Sequence, residues 1–166
     1  MTQKTHINSA GQLAFPLGGN DKASFENYLL GQNSELVDAI KAAVRGHETK
    51  LLYFYGPPNC GKSHLMFAAL RLAKEEDLKT SYLSLSDDYV TPEMLSVVDV
   101  SSVVFVDNAD AWAGNRNKER ALFTLFEQIK HAGGQLIITA SQLCDVAGFA
   151  IPDLVSRLSS GLIYAV

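Results

Sequence analysis

Gly56-Pro57-Pro58-Asn59-Cys60-Gly61-Lys62-Ser63, led in by Leu51-Leu52-Tyr53-Phe54-Tyr55, decides how this chain folds. Glycine, four residues, then Gly-Lys-Ser is the pattern of a phosphate-binding loop. Two glycines let successive backbone N–H groups turn into one concavity, where phosphate oxygens can lie. Lys62 brings a mobile positive charge for the outer phosphates, and the Ser63 hydroxyl can ligate Mg²⁺. A helix starting near Lys62 adds its positive dipole end to the same spot. An ordinary glycine-rich turn would match this pattern by chance roughly once in a few hundred chains of this length. An apolar strand before it and a helical pattern after it lower that further. The stretch reads as a site for a nucleoside di- or triphosphate.

Composition bounds what surrounds the loop. The chain has 166 residues, 47% of them apolar, which suits one globular domain. A net charge of −4 leaves no basic field to hold nucleic acid unaided. Two cysteines, Cys60 and Cys144, make no spaced framework, so a reduced cytoplasmic setting is expected. Cys60 reads as a small tolerated residue rather than a reactive thiol. The histidines are too dispersed for a metal site, no run reaches the length of a membrane span, and the N-terminus lacks the regions of a signal peptide.

Outward from the loop, the pattern alternates strand and helix. Residues 34–44 place Leu36, Ala39, Ile40 and Ala43 at helical spacing behind Ser34 as N-cap. Residues 51–55 form a strand apolar throughout, as for one covered on both faces. A helix is expected over 62–76, with His64 a packing or surface residue of its first turn, and a strand over 80–85. The strand 103–106 ends in Asp107-Asn108-Ala109-Asp110. An acid at the carboxyl end of a buried parallel strand lies at the mouth where ligands bind, the place for a Mg²⁺-holding aspartate. The competing account is a turn or cap aspartate. Asn108 stands where many ATPases carry a carboxylate that orients water. An amide is a far weaker base, so fast self-contained hydrolysis is not expected. Asp110 is the acid at hand to compensate, at an unusual spacing. After the loop 114–117, Leu122, Leu125, Phe126 and Ile129 mark an amphipathic helix stopped by Gly133-Gly134. The strand 136–139 then ends in Thr139 and Ser141, which suit either a phosphate-sensing position or a turn. A short helix over 152–158 and a strand over 162–165 close the chain.

Residues 1–20 read as an arm outside the core, mostly polar, with Leu13, Phe15 and Leu17 forming a short apolar island. Within it, Gln12-Leu13-Ala14-Phe15-Pro16-Leu17 forms an island in which Pro16 favours extended backbone, so that Gln12, Leu13, Phe15 and Leu17 can face a groove. From these residues alone, an arm folded over its own domain is the better account.

Taken together, these stretches resemble the nucleotide-binding base of AAA+ ATPases in the DnaA branch, over nearly the whole chain. Phe25-Glu26-Asn27-Tyr28 with Gly31 and Asn33 is similar to the branch's N-terminal box, which borders the adenine pocket and implies that Tyr28, Leu29 and Leu30 flank the base. Gly61-Lys62-Ser63-His64-Leu65 follows its loop, and Asp107-Asn108 with Ala113-Gly114 its Walker B region. Pro152-Asp153-Leu154 with Ser156-Arg157-Leu158 matches the segment that bears an arginine finger, which carries over to Arg157 acting in trans. The resemblance extends to the DnaA-related regulators of replication initiation, and the 12–17 island falls where those keep a peptide for the replicative sliding clamp. That makes docking, with Gln12, Leu13, Phe15, Pro16 and Leu17 as contacts, the better account of it.

The resemblance implies a P-loop α/β fold with a five-stranded parallel sheet in order 5-1-4-3-2 and a base subdomain over 21–166. It implies residues 56–64 on an adenine nucleotide (ADP or ATP), Ser63 and Asp107 on Mg²⁺, and Asn108, Ser141 and Arg157 in catalysis. DnaA and the clamp are the implied partners, with DNA met only through the clamp, no membrane, and self-association left open. Relatives continue into a helical lid with a second sensing arginine. None follows Val166, and Ser141 stands where they tend to carry aspartate, so modest affinity and weak intrinsic hydrolysis are expected. A small nucleotide kinase would need more arginine clamps. A regulatory switch acting on DnaA ranks first, a helicase-loader-like ATPase second, and a P-loop scaffold without catalysis third.

Overall fold

Strand β1, Leu51–Tyr55, lies inside a five-stranded parallel sheet, hydrogen-bonded to β4 (Gln135–Ala140) on one side and β5 (Leu162–Ala165) on the other. β2 (Thr80–Ser84) and β3 (Val103–Asp107) complete the order β2-β3-β4-β1-β5, the order expected. This is a computed structural model, which describes residues 22–29, 31–47 and 49–166 together with the backbone of His6–Ile7 and Leu13–Ala14. Those two short stretches pair as antiparallel strands. Gln12, Phe15, Pro16 and Leu17 of the expected clamp peptide, the Leu13 side chain, and Leu30 lie outside the described residues.

A strand's side chains alternate between faces, so each buried run feeds two cores. Leu51 and Tyr53 join Val104, Val106, Leu136 and Ile138 in one core, beneath α3 (Pro92–Leu95), α4 (Arg116–Ala132) and α5 (Pro152–Leu158). Leu52 and Phe54 join Val103, Phe105 and Ile137 in the other, beneath α1 (Ser34–Val44) and α2 (Lys62–Glu75). The two faces follow from handedness. The crossover from β1 to β2 runs one way along the sheet and the later crossovers run back, so right-handed connections place α2 on one face and α3–α5 on the other. The crevice at the carboxyl ends of β1 and β4 is thus the point where the winding reverses, where open α/β sheets bind ligands.

Most boundaries fall within two residues of the pattern. Ser34 is the first helical residue rather than the cap. Asn33 precedes it, and its Nδ2 donates to the Tyr28 hydroxyl at 2.9 Å. α4 starts at Arg116 because the Asn115 side chain accepts from the Lys118 N–H at 3.2 Å, so the expected loop ends earlier. Among the described residues, no helix is long and apolar enough to cross a membrane.

Gly134 lets β3 and β4 begin side by side. A Cβ there would lie 2.2 Å from the Val100 carbonyl oxygen and 2.9 Å from that of Ser102, and neither backbone atom can rotate away. Gly134→Ala is therefore expected to destabilise the fold by about 2 kcal/mol or more, read as a lower urea midpoint. An unchanged midpoint would mean that the two strands do not start in this register.

Candidate nucleotide site

The phosphate-loop geometry is built by two left-handed residues, Asn59 (φ 64°) and Gly61 (φ 105°), the second of which caps α2. Such a kinked run turns backbone N–H groups inward and makes an anion-binding concavity. Side chains are excluded where the turn is tight: a Cβ on Gly56 would meet the Cys60 sulfur at 2.7 Å, and one on Gly61 would meet the Tyr28 ring at 3.0 Å. Lys62 is only 8% exposed. Its Nζ donates to the Gly56 carbonyl at 2.6 Å and to that of Pro57 at 2.9 Å, with the Cys60 sulfur at 3.7 Å. The ammonium thus braces the loop from inside and stands ready beside it. Pro57, Pro58, Asn59 and Ser63 are exposed.

The segment before α1 docks on the same helix end. The His64 Nε2 donates to the Ser24 carbonyl at 2.8 Å, and the His64 and Tyr28 rings lie 5.4 Å apart. His64 is therefore a packing residue of the first turn. Tyr28 leans on the loop, and Leu29 beside it is 92% exposed, an apolar side chain with no protein cover.

Asp107 ends β3, level with Thr139 on the neighbouring strand. Register places Thr139 opposite Phe54, so two strand spacings, about 10 Å, separate Asp107 from the end of β1. Asp107 is 3% exposed, and its carboxylate accepts three hydrogen bonds. Thr139 Oγ1 donates to one oxygen, as does the Asn108 N–H at 3.1 Å, and the Tyr82 hydroxyl donates to the other at 3.1 Å. Asn108 itself adopts φ 55°, ψ 49°, and its Nδ2 donates to the Ser86 hydroxyl at 3.2 Å. Ser141 spends both its N–H and its hydroxyl on Asp110. Thr139, not Ser141, is thus the strand-end residue on Asp107. Among the described residues, no three His, Cys, Asp or Glu side chains cluster to hold a metal unaided. Ser63 and Asp107 suit Mg²⁺ that arrives with phosphate oxygens as further ligands.

Arg157 lies on α5 with its Nε 2.9 Å from Glu127 Oε1, too poorly aligned for a hydrogen bond but a close charge contact. Asp153, the acid one helical turn earlier, is exposed and not paired with it. The structure does not join Arg157 to the residues of the loop.

Two residues escape a reading of the sequence. Tyr82 alternates into the core on the side of Phe67, rings 5.5 Å apart, and only the fold brings it to Asp107. Glu119 is fully buried and accepts from the N–H groups of Gly114, Ala150 and Ile151. Its signal was present: Glu119 shares the helical stripe of Leu122, Phe126 and Ile129, where a lone acid is out of place.

The family model for the bacterial DnaA ATPase domain matches residues 19–165. Replication initiator DnaA bound to AMPPCP and single-stranded DNA superposes with a TM-score of 0.77 at 22% identity, covering 89% of this chain and 50% of that one. Domain III of DnaA from Thermotoga maritima gives 0.74 at 22%, covering 89% and 68%. The DnaC helicase loader gives 0.67 at 19%, covering 87% and 96%. At these identities the likeness shows a shared fold. The chain spans about half the length of the DnaA initiator it matches.

Burial, then the negative charge of Asp107 and the bond donated to it, push the Tyr82 phenol well above its usual value of 10.0. Burial does the same to Tyr53, whose hydroxyl donates to the Gln142 carbonyl at 2.7 Å. A raised folded value means that both stay protonated above pH 10 while the unfolded chain ionises. Their contribution to stability is complete below about pH 10 and is lost as pH rises beyond it. A spectrophotometric titration should leave at least two of the six tyrosines silent until the fold melts; phenolate from all six before melting would contradict the burial of Tyr53 and Tyr82.

Proposed function

We propose a role for this chain, which belongs to the family of bacterial DnaA ATPase domains: it is a nucleotide-held switch of the Hda kind, regulating replication initiation. It binds adenine nucleotide at residues 56–63 and, docked on the sliding clamp, stimulates ATP hydrolysis by DnaA through Arg157.

One observation carries the choice of a switch over a self-contained ATPase. Both acids that follow β3 already accept hydrogen bonds: Asp107 from Thr139, Tyr82 and the Asn108 N–H, and Asp110 from Ser141. The residue after Asp107 is an amide already donating to Ser86. Asp107 is held by three donors, and an amide is a far weaker base than a carboxylate, which argues against a self-contained base for an attacking water. The cradle for phosphate is intact all the same. Lys62 and the inward N–H groups would hold the phosphates, Tyr28, Leu29 and Leu30 would flank the base, and Ser63 and Asp107 would hold Mg²⁺. When bound, Mg²⁺ neutralises phosphate charge and fixes the chain of phosphates in one geometry.

Arg157 fits action on a neighbour. Its guanidinium keeps a fixed charge and a planar fork of donors, suited to charge developing on a transferring phosphoryl group. Its only ion pair among the described residues, with Glu127, is partly exposed and exchangeable. The clamp is assigned to Gln12, Leu13, Phe15, Pro16 and Leu17 because that island falls where the DnaA-related regulators keep their clamp peptide, with Leu13 and Phe15 as anchors.

Lys62→Ala should weaken nucleotide binding about 10- to 100-fold, as for a lost charge-assisted hydrogen bond, measured by calorimetry with Mg²⁺. Identical isotherms would remove the loop as the site.

Arg157→Ala should leave the melting curve nearly unchanged, since an exposed pair contributes about 1 kcal/mol at most. It should also abolish stimulation of DnaA turnover on clamp-loaded DNA, where fingers contribute roughly 10³–10⁵-fold. Full stimulation by that variant would sink the trans reading. The double change Leu13→Ala, Phe15→Ala should cost clamp affinity about 2 kcal/mol or more, and intact clamp binding would leave the 1–20 arm a self-covering one.

A further inference from the structure

We propose that Glu119 is the positioning residue that sets Arg157 for its work, an inference that rests on Arg157 acting in trans. Glu119 is completely buried, and among the described residues no cation pairs with it. A buried carboxylate is retained only where the fold solvates it. Here three backbone amides do so: Gly114 N at 2.7 Å and Ala150 N at 2.9 Å on Oε1, Ala150 N at 3.0 Å and Ile151 N at 2.9 Å on Oε2.

The position of those amides gives the group its purpose. Ile151 is the cap of α5, and Ala150 precedes it. α5 has seven residues and buries only Leu154 and Leu158, too few to fix its own direction. α4 holds it at both ends. Glu119 grips the start, and Glu127, eight residues or about 12 Å further along α4, meets Arg157 near the other end. The two grips differ in kind. Glu127 makes a single contact with a half-exposed side chain, which must part when Arg157 reaches a phosphoryl group. Glu119 holds backbone, out of solvent, and keeps its hold while Arg157 swings. Its third amide, Gly114, follows the 3₁₀ turn Ala109–Trp112 that leads out of Asp107. One carboxylate therefore ties the helix of the finger to the segment behind the Mg²⁺-side aspartate.

Glu119→Gln keeps the shape but turns an amide nitrogen toward backbone N–H groups, so at least one amide loses its acceptor. Stimulation of DnaA turnover by the saturating full chain should fall about 10- to 100-fold, the scale on which small misplacements of reacting groups act. Nucleotide affinity should stay within about twofold of the parent, and adding Glu119→Gln to Arg157→Ala should cost nothing further. In nuclear magnetic resonance spectra, the Arg157 Nε–Hε signal should move or broaden, and the Ala150 and Ile151 amides should exchange faster. Glu127→Gln, which loosens a partly exposed contact and so folds, should keep stimulation within about threefold. Should Glu119→Gln fail to fold, that second variant decides: a loss as deep as the one expected for Glu119 would move the positioning role to Glu127. If Arg157→Ala is inactive while Glu119→Gln stimulates fully and leaves the Arg157 signal in place, the positioning role falls alone. If Arg157→Ala stimulates as the parent does, Arg157 itself is not the finger and the proposal falls with it.

Discussion

Asp107 carries a negative charge into a place with 3% exposure, and the sheet edge is arranged around making that tolerable. Stripping a carboxylate of water costs several kcal/mol unless donors replace it. The donors come from three sources: Tyr82 on β2, Thr139 on β4 and the backbone N–H of Asn108. Tyr82 and Thr139 would lose their acceptor with Asp107, and each of the three donors fixes part of the crevice. Thr139 sets the end of β4 beside β1. The Asn108 N–H, shared with Thr139 Oγ1 at 3.0 Å, holds the left-handed turn that starts the 3₁₀ helix. The charge is therefore structural as well as a candidate for Mg²⁺, and the same bonds that satisfy it withdraw it from proton transfer.

The loop across the crevice was legible because its determinants are local. A turn needing left-handed backbone calls for glycine, and the lysine and hydroxyl follow at fixed offsets. The strands were legible for a related reason, since a parallel sheet covered on both faces needs unbroken apolar runs, and Leu51–Tyr55 and residues 103–106 supply them. What the sequence did not disclose lies in pairings across 25 or more positions: Tyr82 with Asp107, Ser141 with Asp110, Glu119 with Ala150 and Ile151. Arg157 shows how a local rule loses. Asp153 stands at the favourable helical offset, yet both face solvent along a short helix, and the packing of α5 against α4 brings Glu127 closer. Tertiary proximity outweighs a pair that contributes only about 0.3–0.5 kcal/mol.

Residues 139–151 join the two halves of the proposed function. Leaving β4, the chain is tied at Thr139 to Asp107, at Ser141 to Asp110, and at the Gln142 carbonyl to Tyr53. Cys144 meets the Ser159 hydroxyl at 3.2 Å, and Ala150 and Ile151 end on Glu119. A connection of this length with no helix or strand of its own is expected to be loose. This one is pinned at five points, the first three at the carboxyl end of the sheet and the last two at the end of α5 and on α4. Preorganisation of that kind lowers the ordering cost when a charged group must meet a reacting phosphate. It also makes the position of Arg157 a property of the whole strap rather than of α5, a helix too short to keep a direction of its own. The bonds at Thr139, Ser141, Gln142, Ala150 and Ile151 thus run from the end of β3 to the start of α5, the helix that carries Arg157.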